Sequence, residues 1–478
     1  MKRLFLVVMM MLSFMLVPQP THAQDALWQN MSERLQTLVP NPQYGDEWII
    51  LALARGGYEN DAYYAAYIQD VAKTVAEKKG VLHTLKYTEY SRVILALNAI
   101  GANPANIGGY NLYEMLRNVD NVEIQGVNGP VFALLALDSK QYTLTSNPQI
   151  REQLLTRILA NQLPSGSFTL DGEENNIDMT AMTLQALAPY KERLDVQQSI
   201  ANALRYIEAD LRTITSSESY AQIVVALGAL QLPFDQAPFH TVIPSLLSFY
   251  DAKTGGFKHL KTDATVNGMA TEQGAYAYTA YQRALQGQTS LYVMTDDTTV
   301  RPFTDTVNHW VNPYAQQAQQ QQLMNGYTDG TFRPNQALTR VQAISILVRA
   351  LQLPAPTKQP VFTDIQRYAQ ETQVMIQQAY EAGLIQYNGG QFNPAKSITR
   401  AQLAIMMARA YTYKTTLSIP ESVPTFTDIS NYHAETQQAI AFLANNGIVS
   451  KAPTFMPAQP TTRAHAAKMF VQFVGVVN

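Results

Sequence analysis

The chain has 478 residues, with 34 Lys and Arg against 37 Asp and Glu, and no cysteine. The missing cysteine excludes a disulfide framework, a thiol nucleophile and any cysteine-ligated zinc site, and the near-neutral charge leads us to expect no nucleic-acid partner. The length predicts roughly two to four domains.

At the N-terminus, Lys2 and Arg3 precede an apolar run, Leu4 to Val17, and "THA" (Thr21 to Ala23) supplies the small residues of a cleavage site before Gln24. The run is shorter than the ~20 residues a spanning helix needs. Residues 1–23 are therefore predicted to be a secretory signal peptide. The mature chain is expected to be exported, with no membrane attachment after cleavage. Charge divides unevenly along it. Gln24 to Thr299 carries 19 Lys+Arg against 29 Asp+Glu, and the chain from Val300 carries 13 against 8. Two readings of the basic back half stay open: it faces an anionic partner, or it reflects ordinary variation of solvated faces.

From Gln24 to about residue 290 the chain reads as all-helical. Small, apolar helices ("DEWIILALARGG", "EYSRVILALNAIG", "NGPVFALLALD", "DMTAMTLQALAPY", "ESYAQIVVALGAL", "MATEQGAYAYTAYQRAL") alternate with six amphipathic ones. A helix apolar all round is buried and a one-sided helix covers it. Six of each predict an inner ring inside an outer ring, an α/α toroid of six helix pairs. The loops "SGSF" (Ser165 to Phe168) and "GGF" (Gly255 to Phe257) fit turns before inner helices. In such a ring the inner N-termini share one rim, here carrying Asp46, Glu47, Glu89, Asp178, Glu218 and Glu272. Two readings stay open. Acids at helix starts complement the dipole and cap amides. Alternatively, Glu47, Asp178, Glu218 and Glu272 form an acidic mouth for a cation, a cationic peptide or a sugar, with Trp48, Tyr90, Tyr220 and Tyr276 as stacking faces.

Through Asp178 to Met182, Glu218-Ser219 and Met269 to Gln273, this region resembles the prenyltransferase and terpenoid-cyclase-like toroids. The resemblance implies the fold more than an activity. The acidic clusters DxDD and DDxxD are absent, the nearest string being "DDTT" at Asp296 in the linker. The zinc site of the protein prenyltransferases needs a cysteine. No catalytic residue, metal or cofactor is expected.

The back half repeats. "ALTRVQA", "SITRAQL" and "PTTRAHA" place Arg340, Arg400 and Arg463 60 and then 63 positions apart. "FTD" opens each unit at Phe303, Phe362 and Phe426, and an F-x-P proline stands six residues before each arginine. Thr339 with Gln342 and Thr399 with Gln402 predict capping boxes. The arginine breaks a local rule, because a cation at a helix start opposes the dipole by about 0.3–1 kcal/mol. Two explanations are open: the arginine holds a carboxylate or phosphate at the helix start, or it pairs between repeats with Asp305, Asp364 or Asp428.

These units resemble S-layer homology (SLH) modules, whose pattern runs from F-x-D through G-Y-x-D-G-x-F-x-P to I-T-R-A-E. The resemblance implies a pseudo-threefold helical assembly that binds a secondary cell-wall polysaccharide, often carrying pyruvyl ketals. On that pattern the polymer-binding residues are Asp305, Trp310, Gly326, Tyr327, Gly330 and Arg340 in module one, Asp364 and Arg400 in module two, and Asp428 and Arg463 in module three. Module two has Tyr368 near the tryptophan position and the loop "YNGGQF". The module-three loop "SKAPTF" has lost both glycines. The expected order of competence is one, two, three, with Arg340→Ala weakening wall retention more than Arg463→Ala.

The domain expectation is a signal peptide (1–23), toroid (24–290), linker (291–302) and modules at 303–356, 361–416 and 425–478. The functional expectation is a secreted surface protein held non-covalently on a wall polymer and displaying a toroid that binds. The alternative is a wall-attached enzyme acting on an extracellular polysaccharide or isoprenoid.

Overall fold

The computed structural model describes residues 22–170, 174–295, 303–387, 389–420, 426–450 and 452–477. Nearly all of the signal-peptide expectation, the "DDTT" string and most of the linker lie outside the described residues. Nearly all of the regular structure among the described residues is helical, as expected.

In chain order the front half runs α1 (His22–Leu38), α2 (Glu47–Arg55), α3 (Asp61–Glu77), α4 (Thr88–Ala99), α5 (Val119–Val122), α6 (Asn128–Asp138), α7 (Ile150–Ala160), α8 (Ile177–Leu187), α9 (Leu194–Asp210), α10 (Ser217–Leu230), α11 (Val242–Leu247) and α12 (Gly268–Leu285). The six helices α2, α4, α6, α8, α10 and α12 each pack on the next, and α12 returns to α2, closing the ring. Their composition explains their place. Every residue of α6 from Gly129 to Leu137 is buried, whereas outer α9 buries only Val196, Ser199, Ile200, Ala203 and Ile207, a single stripe. The loops "SGSF" and "GGF" do one job twice. The Phe168 amide donates to Thr180 Oγ1 and the Phe257 amide to Thr271 Oγ1, each at 2.9 Å in the first turn of the inner helix that follows.

One expected outer helix is not an α-helix. The segment "YNLYEMLRNV" forms a 3₁₀ turn, Leu112–Leu116, followed by the short α5. Asn111 and Asn118 each take nearby backbone amides as caps, and two caps this close interrupt a continuous helix.

After α12 the chain folds back over the C-terminal ends of the inner ring. Arg55, ending α2, donates to the carbonyls of Ser290, Leu291 and Val293 at 2.8–3.0 Å. Arg283 donates to Thr289 O at 2.8 Å, and the Met294 amide to Ser139 O at 2.8 Å. Leu291, Tyr292 and Met294 of this strap are buried. Tyr292 reaches the axis, where its ring centroid lies 6.4 Å from Trp48, itself against Phe132 and Tyr276.

The back half has its own hydrophobic core, separate from that of the ring. It comprises α13 (Asn312–Gln320), α14 (Arg340–Leu351), α15 (Gln370–Glu381), α16 (Arg400–Thr415), α17 (Ala434–Asn445) and α18 (Arg463–Val477). The second helix of each module packs on the first helix of the next: α14 on α15, α16 on α17, and α18 back on α13. At the centre the three strands ahead of α14, α16 and α18 form a cyclic triangle. Leu338 N donates to Thr461 O, Thr461 N to Ile398 O, and Ile398 N to Leu338 O, at 2.8–2.9 Å.

Candidate functional site

Each module begins with an aspartate that builds the turn before its second helix. Asp305 accepts from the amides of Phe332 and Arg333, Asp364 from Phe392 and Asn393, and Asp428 from Phe455 and Met456, all at 2.6–2.8 Å. The second residue of each pair has positive φ (Arg333 56°, Asn393 58°, Met456 58°). A left-handed non-glycine costs energy, and a carboxylate gripping two successive amides holds it there. These aspartates therefore shape loops.

The predicted capping boxes are present: Thr339 with Gln342 and Thr399 with Gln402 bond reciprocally. In module three His465 replaces the glutamine, and its Nδ1 lies 2.8 Å from Thr462 Oγ1.

The arginines cross between modules. Arg340 Nε donates to Phe392 O of module two (2.9 Å), Arg400 Nε to Phe455 O of module three (2.8 Å), and Arg463 Nε to Phe332 O of module one (2.7 Å). Each guanidinium also lies 4.6–4.9 Å from the ring of the phenylalanine whose carbonyl it takes. The expected inter-repeat ion pair is thus present only at long range, since backbone amides already occupy the aspartates. Burial makes each guanidinium easier to deprotonate, and Asp364, Asp428 and Asp305 oppose this at Arg340, Arg400 and Arg463 respectively. The Nη groups of Arg340 and Arg400 have no protein hydrogen bond among the described residues, and both residues are partly exposed.

Arg463 differs. It is 6 % exposed, its Nη2 donates to Asn325 O at 2.9 Å, and the Tyr327 ring lies 4.9 Å away. On its other side Tyr327 carries Arg333, 3.8 Å from the ring centroid. Gly326 is required by contact, because a Cβ there would sit 2.2 Å from the Phe303 ring. Gly330, at φ 77°, closes the turn with its amide on Tyr327 O. Trp310 is 49 % exposed and lies 5.4 Å from the His465 ring. The structure therefore gathers the expected residues into three inter-module clusters. Asp305, Trp310, Gly326, Tyr327 and Gly330 belong with Arg463, Asp364 with Arg340, and Asp428 with Arg400. Sequence reading missed Tyr432. Tyr432 stands one residue before the cap of α17, as Trp310 does before the cap of α13 and Tyr368 before that of α15, a match hidden by one extra residue in module one.

The toroid rim resolves into internal clusters. Glu47 is fully buried, 3.1 Å from Arg92 Nε, and accepts from the Gly45 amide. Glu89 takes Arg92 Nη2 at 2.6 Å and the Tyr44 hydroxyl at 2.7 Å. Both Glu218 oxygens lie 2.9 Å from His259 Nδ1. Asp178 Oδ1 is buried without a hydrogen-bond partner among the described residues, and burial raises its pKa. Burial and then Glu47 push Glu272 up to about 7, against Arg92. The proposed stacking faces are otherwise placed: Tyr90, Tyr220 and Tyr276 are buried, because aromatic residues on inner helices fill the ring. A cavity of about 1360 Å³ lies at the other, C-terminal end, lined in part by Leu135, Gln185, Val225, Phe234, Tyr281 and Leu291. There Asp138 is held by Arg151 (2.6 Å) and the Tyr190 hydroxyl (2.7 Å).

Comparison with known proteins agrees with this geometry for the back half. The family model of the S-layer homology domain matches residues 302–344, 361–404 and 425–467. Over 173 residues the chain is 34 % identical to an endoglucanase of Bacillus sp. (strain KSM-635), covering 35 % of this chain and 18 % of that protein. It is 28 % identical over 173 residues to an amylopullulanase of Thermoanaerobacterium thermosulfurigenes (35 % and 9 %). It is 29 % identical over 173 residues to the S-layer protein EA1 of Bacillus anthracis (36 % and 19 %). The chain thus spans less than a fifth of the length of these relatives. No helix among the described residues is long and apolar enough to cross a membrane. The cyclic packing, the crossed arginines and the three family matches together show that the back of this cell-surface protein consists of three S-layer homology domains.

Proposed function

We propose that the chain is exported, is held non-covalently on an anionic secondary wall polymer by its SLH domains, and displays the toroid as a binding domain. One observation carries this reading. Arg340 and Arg400 are fixed through Nε at inter-module contacts and partly exposed, and their Nη groups have no protein hydrogen bond among the described residues. A guanidinium positioned in this way suits a carboxylate, which it can take with two parallel bonds. A pyruvyl ketal offers such a carboxylate on a sugar. The test is retention of the full chain on purified walls before and after the polymer is stripped. Retention should fall sharply on stripped walls and in Arg340→Ala/Arg400→Ala. Equal retention on both walls would end the reading.

The large cavity of the toroid favours a second reading, in which the displayed domain acts on an extracellular polysaccharide or isoprenoid. Its discriminating measurement is product release from wall-associated glycans and prenyl substrates by the full chain, compared with a Tyr281→Trp variant that narrows the cavity.

A further inference from the structure

The turn between α3 and α4 reads "KKGVLHTLK", with Lys78, Lys79 and Lys86 and no intervening acid, on a half of the chain that is otherwise acidic. Val81 and Leu85 in this turn are 45 % and 55 % exposed, and neighbouring Tyr110 is 39 % exposed. Tyr110 lies on Gly80, where an added Cβ would stand 2.6 Å from its ring. Two residues before Tyr110, the Gly108 amide donates to Thr328 O of module one at 2.6 Å. Gly330 of the same turn meets Ile68 on α3, where a Cβ would approach within 2.9 Å. A strip thus runs from Lys79 past Tyr110 to Thr328 and on to Arg333, which is exposed, stacked on Tyr327 and paired with Asp329 at 3.0 Å, and exposed Lys78 flanks it, its Nζ donating to Leu82 O at 3.2 Å beside the Tyr44 ring.

We propose that this strip is a second contact for the anionic wall polysaccharide, so that one polymer chain spans module one and the toroid. The proposal rests on the anchoring reading above. Lysines at this spacing meet repeated carboxylates, and exposed aliphatic and aromatic faces cover sugar rings. Continuity with the module-one turn favours polysaccharide over a lipid surface, which is typically recognised by about four to eight clustered basic residues.

The test compares full-length wild type, Lys78→Glu/Lys79→Glu/Lys86→Glu, the milder Lys79→Gln/Lys86→Gln, and Arg340→Ala/Arg400→Ala. Each is measured on intact walls, stripped walls and phosphatidylglycerol vesicles, with thermal melts to check folding. The triple variant should bind intact walls about tenfold more weakly at ~0.1 M salt, with the gap closing towards 1 M as screening shortens to about 3 Å. The double lysine variant should lose less in the same direction. If both lysine variants bind intact walls like wild type while the arginine variant falls, the strip is refuted and anchoring stands. A loss confined to vesicles refutes it in favour of a lipid surface. Equal wild-type retention on stripped walls overturns anchoring and strip together.

Discussion

Glu272 and Arg463 show how burial sets what a charged side chain does here. Glu272 has a folded pKa of about 7 against an ordinary 4.5. The folded chain therefore holds this proton more tightly than the unfolded chain. Its stabilising effect is complete below pH 4.5 and is lost as pH rises through 7, by about 3 kcal/mol in all. Glu272→Gln should remove that slope, raising the melting temperature at pH 8 and leaving it nearly unchanged at pH 4.5. Parallel pH profiles for the two proteins would contradict the assignment. Arg463 is covered and bonds two carbonyls. Arg463→Ala leaves both carbonyls unpaired beneath a void and should cost about 2–4 kcal/mol in denaturant unfolding. Arg340→Ala removes one such bond at a half-open site and should cost about 1 kcal/mol, with its larger effect on wall retention.

At the scale of elements, the sequence made much of the fold legible. Inner helices announced themselves by being apolar on all sides, and the two Thr/Gln capping boxes formed where the motif stood. The third outer element did not follow, because Asn111 and Asn118 compete locally with a helix whose apolar residues looked adequate. The candidate site was legible in its parts and not in its pairing. Asp305, Tyr327 and Arg340 lie in one repeat, so reading along the chain groups them. Only closure of α18 onto α13 shows that Arg463 serves the first loop. Nor does spacing reveal that the aspartates are committed to amides. The rim acids were legible as helix starts, while Arg92 as a partner of Glu47 and His259 as a partner of Glu218 come from other segments of the ring. A glycine in this frame gives a sharp test. Gly326→Ala drives a methyl into Phe303 and should cost about 1–3 kcal/mol, read as a lower midpoint for unfolding of the modules. An unshifted midpoint would show that the turn can move away.

For the molecule as a whole, crossed contacts tie the three modules into one packed unit. Arg340 bonds the loop that Asp364 builds although they lie in different repeats, whereas Asp305 builds the loop that Arg463 bonds. In a double-mutant cycle on wall affinity, Arg340→Ala with Asp364→Asn should show coupling of about 0.5–3 kcal/mol, and Arg340→Ala with Asp305→Asn should be additive within about 0.5 kcal/mol. The reverse pattern would restore pairing within repeats.

The strap over the ring carries a further consequence. Residues 289–294 are the last of the ring's core before the chain leaves for the modules, and Arg55 and Arg283 clasp them across helix ends. Under the anchoring proposed above, tension passed along the chain enters the ring at this clasp, alongside the contact of Gly108 with Thr328 of module one. Resistance to tearing is then set by a few guanidinium–carbonyl bonds and the seating of Tyr292, and the first part to yield would be the closure at the ring's C-terminal end.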